Sequence, residues 1–207
     1  MKWANELRAK FEGDLPGSIV HNEVMSYARQ QAEEVRTNGS TYREGGVMML
    51  IYPIEELLHT ALILRPTYEG VHSGQVAFPG GAREDEDSDL KCTALRETEE
   101  EVGVKASQIE VIGELSELYI PPSNFIVKPF VGVLPERPTF IPDDFEVAKI
   151  MEPSVDSFLK KDAVTTTTVN IGKQTSMRVK AFMVDGHVVW GATAMMLAEF
   201  RALYTRT

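Results

Sequence analysis

The chain has 207 residues, of which 43% are hydrophobic and 25% charged, and its formal net charge at pH 7 is −10. Such a chain can bury a core of its own and fits one domain with an extension better than two full domains. The acidic balance argues against a protein that binds nucleic acid or an anionic membrane through its own surface. It permits a phosphorylated small molecule if metal ions reverse the local field.

Nothing in the sequence indicates export or membrane insertion. Cys92 is the only cysteine, so the chain cannot form an internal disulfide. Its first residues, MKWANELRAKFEGDLPG, contain no apolar core of signal-peptide length, and no stretch has the length needed to span a bilayer. The sequence therefore predicts a cytoplasmic protein without a membrane partner, and it carries no prediction of oligomeric state.

The first part of the chain divides at a boundary loop. Residues 1–40 are mostly polar and favour helix, with an interruption at DLPGS, and the low-propensity stretch RTNGSTYREGG closes them off. We therefore expect an N-terminal extension over residues 1–40 and a main domain over residues 41–207. The apolar runs VMMLIY and TALILRP have strand length and are expected to pair, and GQVAF is a third short strand that ends at Pro79, Gly80 and Gly81.

The second part continues with one helix and several strands. A helix is predicted from about Asp89 to Val102, with Ser88 or Asp87 as its N-cap and Gly103 just past its end. The runs IEVIGELSEL and FIVKPFVGVL follow as strands, and the proline inside the second run predicts an edge strand or a bulge.

The last part of the chain predicts a hairpin and a helix. The Asp-Gly pair in MRVKAFMVDGHVVW favours a two-residue turn, and ATAMMLAEFRALY predicts an amphipathic helix. Strands and helices interleave without the regular spacing of a doubly wound sheet. The predicted fold class is therefore a mixed α/β sandwich.

The helix from Asp89 carries closely spaced glutamates. Glu97, Glu100 and Glu101 stand at positions i, i+3 and i+4, so their carboxylates converge within one turn, whereas Glu99 points elsewhere. Like charges this dense repel one another on a helix. Two explanations are open from these residues alone: a solvated acidic face, or a hard oxygen-rich site for Mg²⁺ or Mn²⁺.

The context of the glutamates resembles the signature of the Nudix hydrolase family. That signature runs Gly, five residues, Glu, seven residues, and then Arg-Glu-aliphatic-x-Glu-Glu-x-Gly-aliphatic. Its second half matches the stretch RETEEEVGV, which begins at Arg96, except that Thr98 fills an aliphatic position. Counted from Gly81, the first half is one residue too long and Ser88 stands where glutamate is expected. Asp87 or Asp89 would then supply that carboxylate.

The lengthened signature and the residues before it resemble the coenzyme A pyrophosphatase branch of the family. That branch carries Leu-Leu-Thr-Arg-Arg, several residues, and then His-x-Gly-Gln-x-x-Phe-Pro-Gly-Gly. The matching positions here are Leu64, Arg65, His72, Gly74, Gln75, Phe78, Pro79, Gly80 and Gly81. Pro66 departs from the pattern, because a second polar or basic residue is usual there. The resemblance covers roughly residues 44–204.

The resemblance implies a Nudix-fold α/β/α sandwich with a mixed sheet and a helical N-terminal extension. It also implies a metal-dependent diphosphatase that cuts coenzyme A or an acyl derivative into 3′,5′-ADP and a phosphopantetheine fragment. Glu97, Glu100 and Glu101 would bind Mg²⁺ or Mn²⁺, with the carbonyl of Gly80 or Gly81 as a neutral ligand. Arg96 would orient the glutamates.

Other residues have a functional and a structural interpretation. Glu146 is the candidate general base, because some Nudix enzymes use a later loop glutamate, but it is equally compatible with a solvated loop residue. Arg65, His72 and Gln75 are candidate substrate contacts. Arg65 would alternatively pair with a nearby acid, and His72 with a local hydrogen-bond partner. Phe78 is a candidate substrate contact as well, although it is better explained as a core residue.

Two other functions compete with coenzyme A hydrolysis. One is hydrolysis of a different nucleoside diphosphate-linked substrate such as ADP-ribose. The other is a ligand-sensing regulatory Nudix domain with weak catalysis. The intact glutamate triad favours an enzyme that acts on a small-molecule diphosphate.

Overall fold

The computed structural model describes residues 1–25, 29–160, 162–171 and 175–206. The helices are α1 (Lys2–Ala9), α2 (Ser18–Val24), α3 (Ala32–Thr37), α4 (Leu90–Val102), α5 (Asp156–Leu159) and α6 (Gly191–Tyr204), with a 3-10 helix at Ala106–Gln108. The strands are β1 (Arg43–Ile54), β2 (Leu57–Thr60), β3 (Leu62–Leu64), β4 (Val76–Ala77), β5 (Gly80–Ala82), β6 (Glu110–Glu114), β7 (Leu118–Ile120), β8 (Phe125–Val133), β9 (Lys149–Met151), β10 (Val164–Ile171), β11 (Thr175–Val184) and β12 (His187–Val189).

The main sheet is mixed and lies between two layers of helices. Its strand order is β2-β1-β8-β6, with β5 also paired to β1 and β7 to β8. Strands β1 and β8 run parallel, and the other pairs in this sheet are antiparallel. Along β1, Met48 and Leu50 face a core shared with α4, whereas Met49 and Ile51 face a core shared with α6. Because both faces of β1 are covered, its sequence is a continuous apolar run. The expected α/β/α sandwich is confirmed.

The predicted strand TALILRP is divided between two sheets. Thr60 pairs with Ile51 in the main sheet, as the expected pairing of the first two apolar runs requires. Residues 62–64 instead form β3, the central strand of a second sheet of order β4-β3-β9. The single-strand prediction is wrong because β3 finds its partner in β9, a strand far along the chain.

Pro129 lies in a central strand, so the predicted edge position is wrong. Strand β8 pairs with β1 on one side and with β6 and β7 on the other. The second side is interrupted between Glu114 and Leu118, where the Pro129 carbonyl accepts a hydrogen bond from Leu115 N at 2.9 Å. A residue without an N–H is tolerated at this interruption, since a continuous ladder would need its donor.

Helix α4 begins and ends at identifiable residues. Its N-cap is Asp89, whose side chain accepts a hydrogen bond from Cys92 N at 2.8 Å, so the prediction of Ser88 or Asp87 as the cap is wrong. Asp87 makes other contacts, described below. Gly103 ends the helix with φ of +74°, in the left-handed region that glycine adopts without strain, as predicted.

The N-terminal helices pack on the main domain. Ala4, Leu7 and Val24 belong to the same core as the inner residues of α6, and α2 packs directly against α6. Helix α6 is consequently buried on most of its circumference rather than amphipathic, which corrects the prediction. Residues 26–28 of the predicted extension lie outside the described residues. The boundary at residue 40 stays a prediction.

The C-terminal hairpin forms as the sequence predicts. Strand β11 pairs antiparallel with β12, and Val184 stands opposite His187 across the turn. The two turn residues, Asp185 and Gly186, have φ of 48° and 80°. Positive φ at both positions is the geometry of the two-residue turn that Asp-Gly favours.

Candidate active site

A glycine turn and two glutamates of α4 form one buried cluster. Gly80 N donates a hydrogen bond to Glu101 Oε2 at 2.8 Å. The Glu97 carboxylate lies so close to Gly81 that a Cβ at that position would overlap it. Strand β5 therefore requires glycine here, because only a residue without a side chain leaves room for the Glu97 carboxylate. The predicted proximity of the double-glycine turn and the helix glutamates is present in the structure.

Glu101 is a buried carboxyl group with an incomplete set of partners. Only 2% of the residue is exposed, and Glu101 Oε1 has no hydrogen-bond partner. Arg65 Nη1 lies 3.9 Å from this oxygen, beyond hydrogen-bond distance. Burial raises the pKa of Glu101 to about 8, opposed by Gly80 N–H and Arg65 and reinforced by the charges of Glu97 and Glu146.

Glu146 reaches the same cluster from a different segment. It follows a turn in which Asp143 Oδ1 accepts hydrogen bonds from Phe145 N at 2.8 Å and Glu146 N at 3.0 Å. The turn is attached to α4 because Asp143 N donates to the backbone carbonyl of Glu101 at 2.9 Å. Burial raises the pKa of Glu97, opposed by Arg96, and the nearby Glu146 carboxylate adds to the rise. The charge of the exposed Glu146 side chain thus acts on the carboxyl groups of both Glu97 and Glu101.

Arg96 joins the acidic groups around the cluster. Its guanidinium donates to Asp87 at 2.8 and 3.1 Å, to Glu97 Oε1 at 3.1 Å and to Glu100 Oε2 at 2.9 Å. Asp87 also accepts from Thr93 Oγ1 at 2.9 Å, and the bonds from Arg96 hold the pKa of Asp87 well below its usual range. Of the two candidates for the missing signature carboxylate, Asp87 anchors Arg96 and Asp89 caps the helix.

The two remaining helix glutamates have different environments. The Glu100 side chain is 59% exposed and lies at the rim of the cluster, where Arg96 contacts it. Glu99 points away from the other three, as its position on the helix predicts. It is not simply solvated, however, because it pairs with Lys105 Nζ at 2.7 Å and accepts from Ala106 N at 3.0 Å.

The donor chemistry of the cluster fits a hard divalent cation. Within residues 1–25, 29–160, 162–171 and 175–206, no group of three or more His, Cys, Asp or Glu side chains is arranged so that it could hold a metal ion. Arg96 engages one oxygen each of Glu97 and Glu100. The orphaned Glu101 Oε1 and the carboxylates beside the glycine turn are nevertheless the oxygen ligands that Mg²⁺ and Mn²⁺ favour.

The predicted substrate contacts before the glycine turn separate into two groups. Arg65 points towards Glu101 and is the one that approaches the cluster. His72 and Gln75 bond to each other at 2.9 Å, and His72 Nε2 also lies 3.1 Å from Ser123 Oγ, so both support the loop. Phe78 is 2% exposed in the core. Its assignment to substrate binding is therefore corrected to a packing role.

Sequence reasoning missed Asp143, and it named Asp87 without its contact with Arg96. Asp143 fixes the turn before Glu146, and Asp87 anchors Arg96. A local pattern for the first existed, because an aspartate whose side chain caps the N–H groups two and three residues later is a common turn motif. Asp87 was weighed only as a cap or as a carboxylate of the signature, and its bond to Arg96 depends on the folded loop.

Comparisons with known proteins agree with this geometry. A family profile described as NUDIX domain matches residues 43–166, more than half of the chain. The chain belongs to the Nudix hydrolase family, whose members act on phosphoric anhydride bonds and generally use divalent metal ions.

Two curated relatives, both named uncharacterized Nudix hydrolase NudL, are similar to this chain. The Photorhabdus laumondii protein is 36% identical over 128 residues, which cover 62% of this chain and 67% of the relative. The Yersinia enterocolitica protein is 38% identical over 126 residues, which cover 61% of this chain and 64% of the relative. The matches thus span about two thirds of the length of these relatives.

A solved structure supports the fold alone. The MutT/nudix family protein from Enterococcus faecalis superimposes with a TM-score of 0.53 at 15% sequence identity, covering 98% of this chain and 74% of that chain. Among the described helices, none combines the length and apolar character needed to cross a membrane.

Proposed function

We propose that this chain hydrolyses the diphosphate of coenzyme A or an acyl-coenzyme A and releases 3′,5′-ADP and the corresponding phosphopantetheine. The observation that supports it best is the orphaned Oε1 of the buried Glu101. A buried carboxylate oxygen without a hydrogen-bond partner lowers the stability of the fold. Its presence beside further carboxylates therefore indicates that a ligand satisfies it. A divalent cation is the partner that such a group of oxygens attracts.

Glu97, Glu100 and Glu101 are the proposed ligands of Mg²⁺ or Mn²⁺, and the Gly81 carbonyl adds a neutral oxygen. When bound, the cation neutralises charge on the diphosphate and lowers the pKa of water. Arg96 fixes the orientation of Glu97 and Glu100 through its hydrogen bonds. This orientation preorganises the ligands, which reduces the reorganisation needed during reaction.

Glu146 is the proposed general base. The attacking water gives its proton to the Glu146 carboxylate, its oxygen bonds to phosphorus, and the bridging oxygen leaves with the second phosphate. The Glu146 side chain is exposed, and its charge acts on the carboxyl groups of Glu97 and Glu101. A carboxylate that does not bind the metal keeps its basicity, which a ligand carboxylate loses on coordination.

The preference for coenzyme A rests on the residues before the glycine turn, which resemble those of the coenzyme A pyrophosphatase branch. Arg65 is the proposed contact for the 3′-phosphate, because a guanidinium suits phosphate geometry and this side chain approaches Glu101 from a separate segment. We expect coenzyme A to be cleaved at least about tenfold more efficiently than its 3′-dephospho form, because the dephospho form lacks one charge-assisted contact. Arg65→Ala should narrow that ratio.

A substrate panel tests the proposal. It contains coenzyme A, dephospho-coenzyme A, ADP-ribose and diadenosine polyphosphates, assayed with Mg²⁺ and then with Mn²⁺. Preference for coenzyme A with both metals, and no turnover in EDTA, is the expected result. A preference for ADP-ribose or a dinucleotide would reject the coenzyme A assignment and leave a general diphosphatase. Binding without metal-dependent turnover would identify a regulatory domain instead.

A further inference from the structure

The loop that precedes Glu146 exposes large apolar side chains next to the candidate active site. Phe145 is 89% exposed and Ile141 is 67% exposed. We call residues 137–145, with the sequence RPTFIPDDF, the apolar loop. Single exposed hydrophobic residues are ordinary, but a phenylalanine almost fully in water beside acidic residues that contact a buried cluster calls for an explanation.

Backbone hydrogen bonds fix the loop in the conformation that exposes Phe145. Ile141 N donates to the backbone carbonyl of Val102 and Asp143 N to that of Glu101, each at 2.9 Å. The Asp143 side chain then accepts from Phe145 N at 2.8 Å. These bonds attach the loop to the last turn of α4, the helix that carries the glutamates. The Phe145 ring is thus presented one residue away from Glu146.

The charges around Phe145 indicate which part of a coenzyme A substrate can lie against its ring. Asp143, Asp144 and Glu146 are its immediate neighbours in sequence, so an anionic group is repelled there. The cationic Arg65 approaches Glu101 from a different segment and suits the half that carries the 3′-phosphate. The part of the substrate that remains for Phe145 is the uncharged acyl group on the sulfur at the end of the pantetheine arm.

A groove beside the same loop is lined by both apolar and polar residues. It has a volume of about 460 Å³, and its lining includes Pro138, Phe140, Pro142 and Ile150. This volume lies within the range of sites that take small molecules. Within the groove, Arg137 pairs with Glu152 at 2.6 Å, so its charge is already compensated. The groove thus offers an acyl chain four apolar residues to contact, and the charge of Arg137 is neutralised by Glu152.

We propose that Phe145, with Ile141 and the adjoining groove, forms the binding subsite for the acyl group of an acyl-coenzyme A. The subsite rests on the proposed hydrolysis of coenzyme A compounds and makes Phe145 a determinant of acyl specificity. Contact between the ring and an alkyl chain removes apolar surface of both from water, so affinity rises with chain length.

The test compares kcat/KM for coenzyme A and for its acetyl, hexanoyl and decanoyl thioesters. Phe145→Ala should lower kcat/KM for the decanoyl ester about tenfold, because the alanine no longer contacts about two methylene groups of the chain. It should change the value for coenzyme A itself by less than about twofold, within the effect of a small change in surface contact. Phe145→Leu, which keeps an apolar side chain, should restore most of the decanoyl activity.

Ile19 provides a matched control, because it is 79% exposed and lies in α2, outside the apolar loop. Ile19→Ala should leave all four values unchanged. An equal loss in Phe145→Ala for coenzyme A and the decanoyl ester, or no loss for either, overturns the subsite while the hydrolase assignment stands. Wild-type protein that is inactive on all four compounds overturns the proposed function and the subsite with it.

Discussion

Two buried glutamates, one in α4 and one in α6, have opposite surroundings. Glu199 of α6 is 0% exposed and both of its oxygens are engaged: Gly17 N at 3.1 Å, His21 Nε2 at 2.9 Å, and Ser116 N and Oγ at 3.1 and 2.7 Å. Burial on its own would raise the pKa of Glu199, but the bonds from His21 and Ser116 lower the pKa overall.

Glu101 of α4 is buried to nearly the same degree and lacks such partners. It accepts one backbone N–H, from Gly80, and its Oε1 has none. Its pKa rises to about 8 because burial dominates. From this difference we infer that Glu199 stabilises the fold and that Glu101 Oε1 is available to a ligand. The predictions below test that separation.

The largest expected effect is the loss of catalysis in Glu101→Gln. The amide can still accept from Gly80 N, but it removes the charge that a metal ligand needs. We expect kcat to fall by about two to three orders of magnitude, as when one group that stabilises transition-state charge is removed. The thermal unfolding midpoint should not fall. A variant that retains wild-type kcat, or that loses activity only because it unfolds, would contradict this role.

Glu199→Gln should show the reverse behaviour. Gly17 N donates to Oε1 and Ser116 N to Oε2, so the amide nitrogen would face an N–H group whichever oxygen it replaced. The buried network then loses one acceptor. We expect the free energy of unfolding, measured with urea, to fall by about 3 kcal/mol, while kcat per folded molecule stays within about threefold. The matched control is Glu6→Gln at an exposed ion pair, with an expected change below about 1 kcal/mol. A large loss of kcat in folded Glu199→Gln would remove the distinction between the two glutamates.

The two carboxylates should also give opposite dependences of stability on pH. The folded pKa of Glu199 is lowered from 4.5, so its contribution is complete above that pH and is lost as the pH falls through the folded value. The folded pKa of Glu101 is raised from 4.5 to about 8. The native state therefore holds a proton that the unfolded state releases, and stability falls as the pH rises between those values.

Urea unfolding of metal-free protein from pH 3 to pH 9 measures both dependences. In the wild type, the free energy of unfolding should fall by at most about 1.4 kcal/mol per pH unit between pH 5 and pH 8. Glu101→Gln should abolish this fall. Glu199→Gln should instead flatten the acid limb below pH 4.5. Identical curves for wild type and Glu101→Gln above pH 5 would show that Glu101 ionises normally in the fold.

The smallest expected effect is that of Glu99→Gln, the matched control on the same helix. Glu99 bonds to Lys105 and to Ala106 N outside the cluster. Its replacement should cost less than about 1 kcal/mol of stability, as for other exposed ion pairs. The value of kcat should stay within about twofold of wild type, a change typical of a surface substitution. Equal losses of kcat at Glu99 and Glu101 would mean that helix charge alone, rather than a defined site, controls activity.

The parts of the site that the sequence predicted are those that local spacing determines. Glu97, Glu100 and Glu101 share a face because the helix period places them there, and Gly103 ends the helix because its backbone is free to take positive φ. The turn at Asp185 and Gly186 was predictable for the same reason. In each case the residues that decide the structure lie within one turn of one another.

The parts that were missed depend on contacts between distant segments. Helix α6 has an amphipathic sequence pattern, yet the N-terminal helices cover its outer face. The His21–Glu199 pair joins residues from the two ends of the chain, and no local pattern announces it. Phe78 lies between β4 and β5, beside the glycine turn, and its side chain belongs to the buried core.

Direct measurement of Mn²⁺ binding tests the central claim, that Glu101, whose Oε1 has no hydrogen-bond partner, belongs to a metal site. Isothermal titration calorimetry at pH 7.5 would compare wild type with Glu101→Gln, Glu99→Gln and Glu199→Gln. Wild type, Glu99→Gln and folded Glu199→Gln should bind alike, and Glu101→Gln should bind at least about a hundredfold more weakly. Absence of binding in the wild type, or equal affinity in Glu101→Gln and Glu99→Gln, would contradict the account.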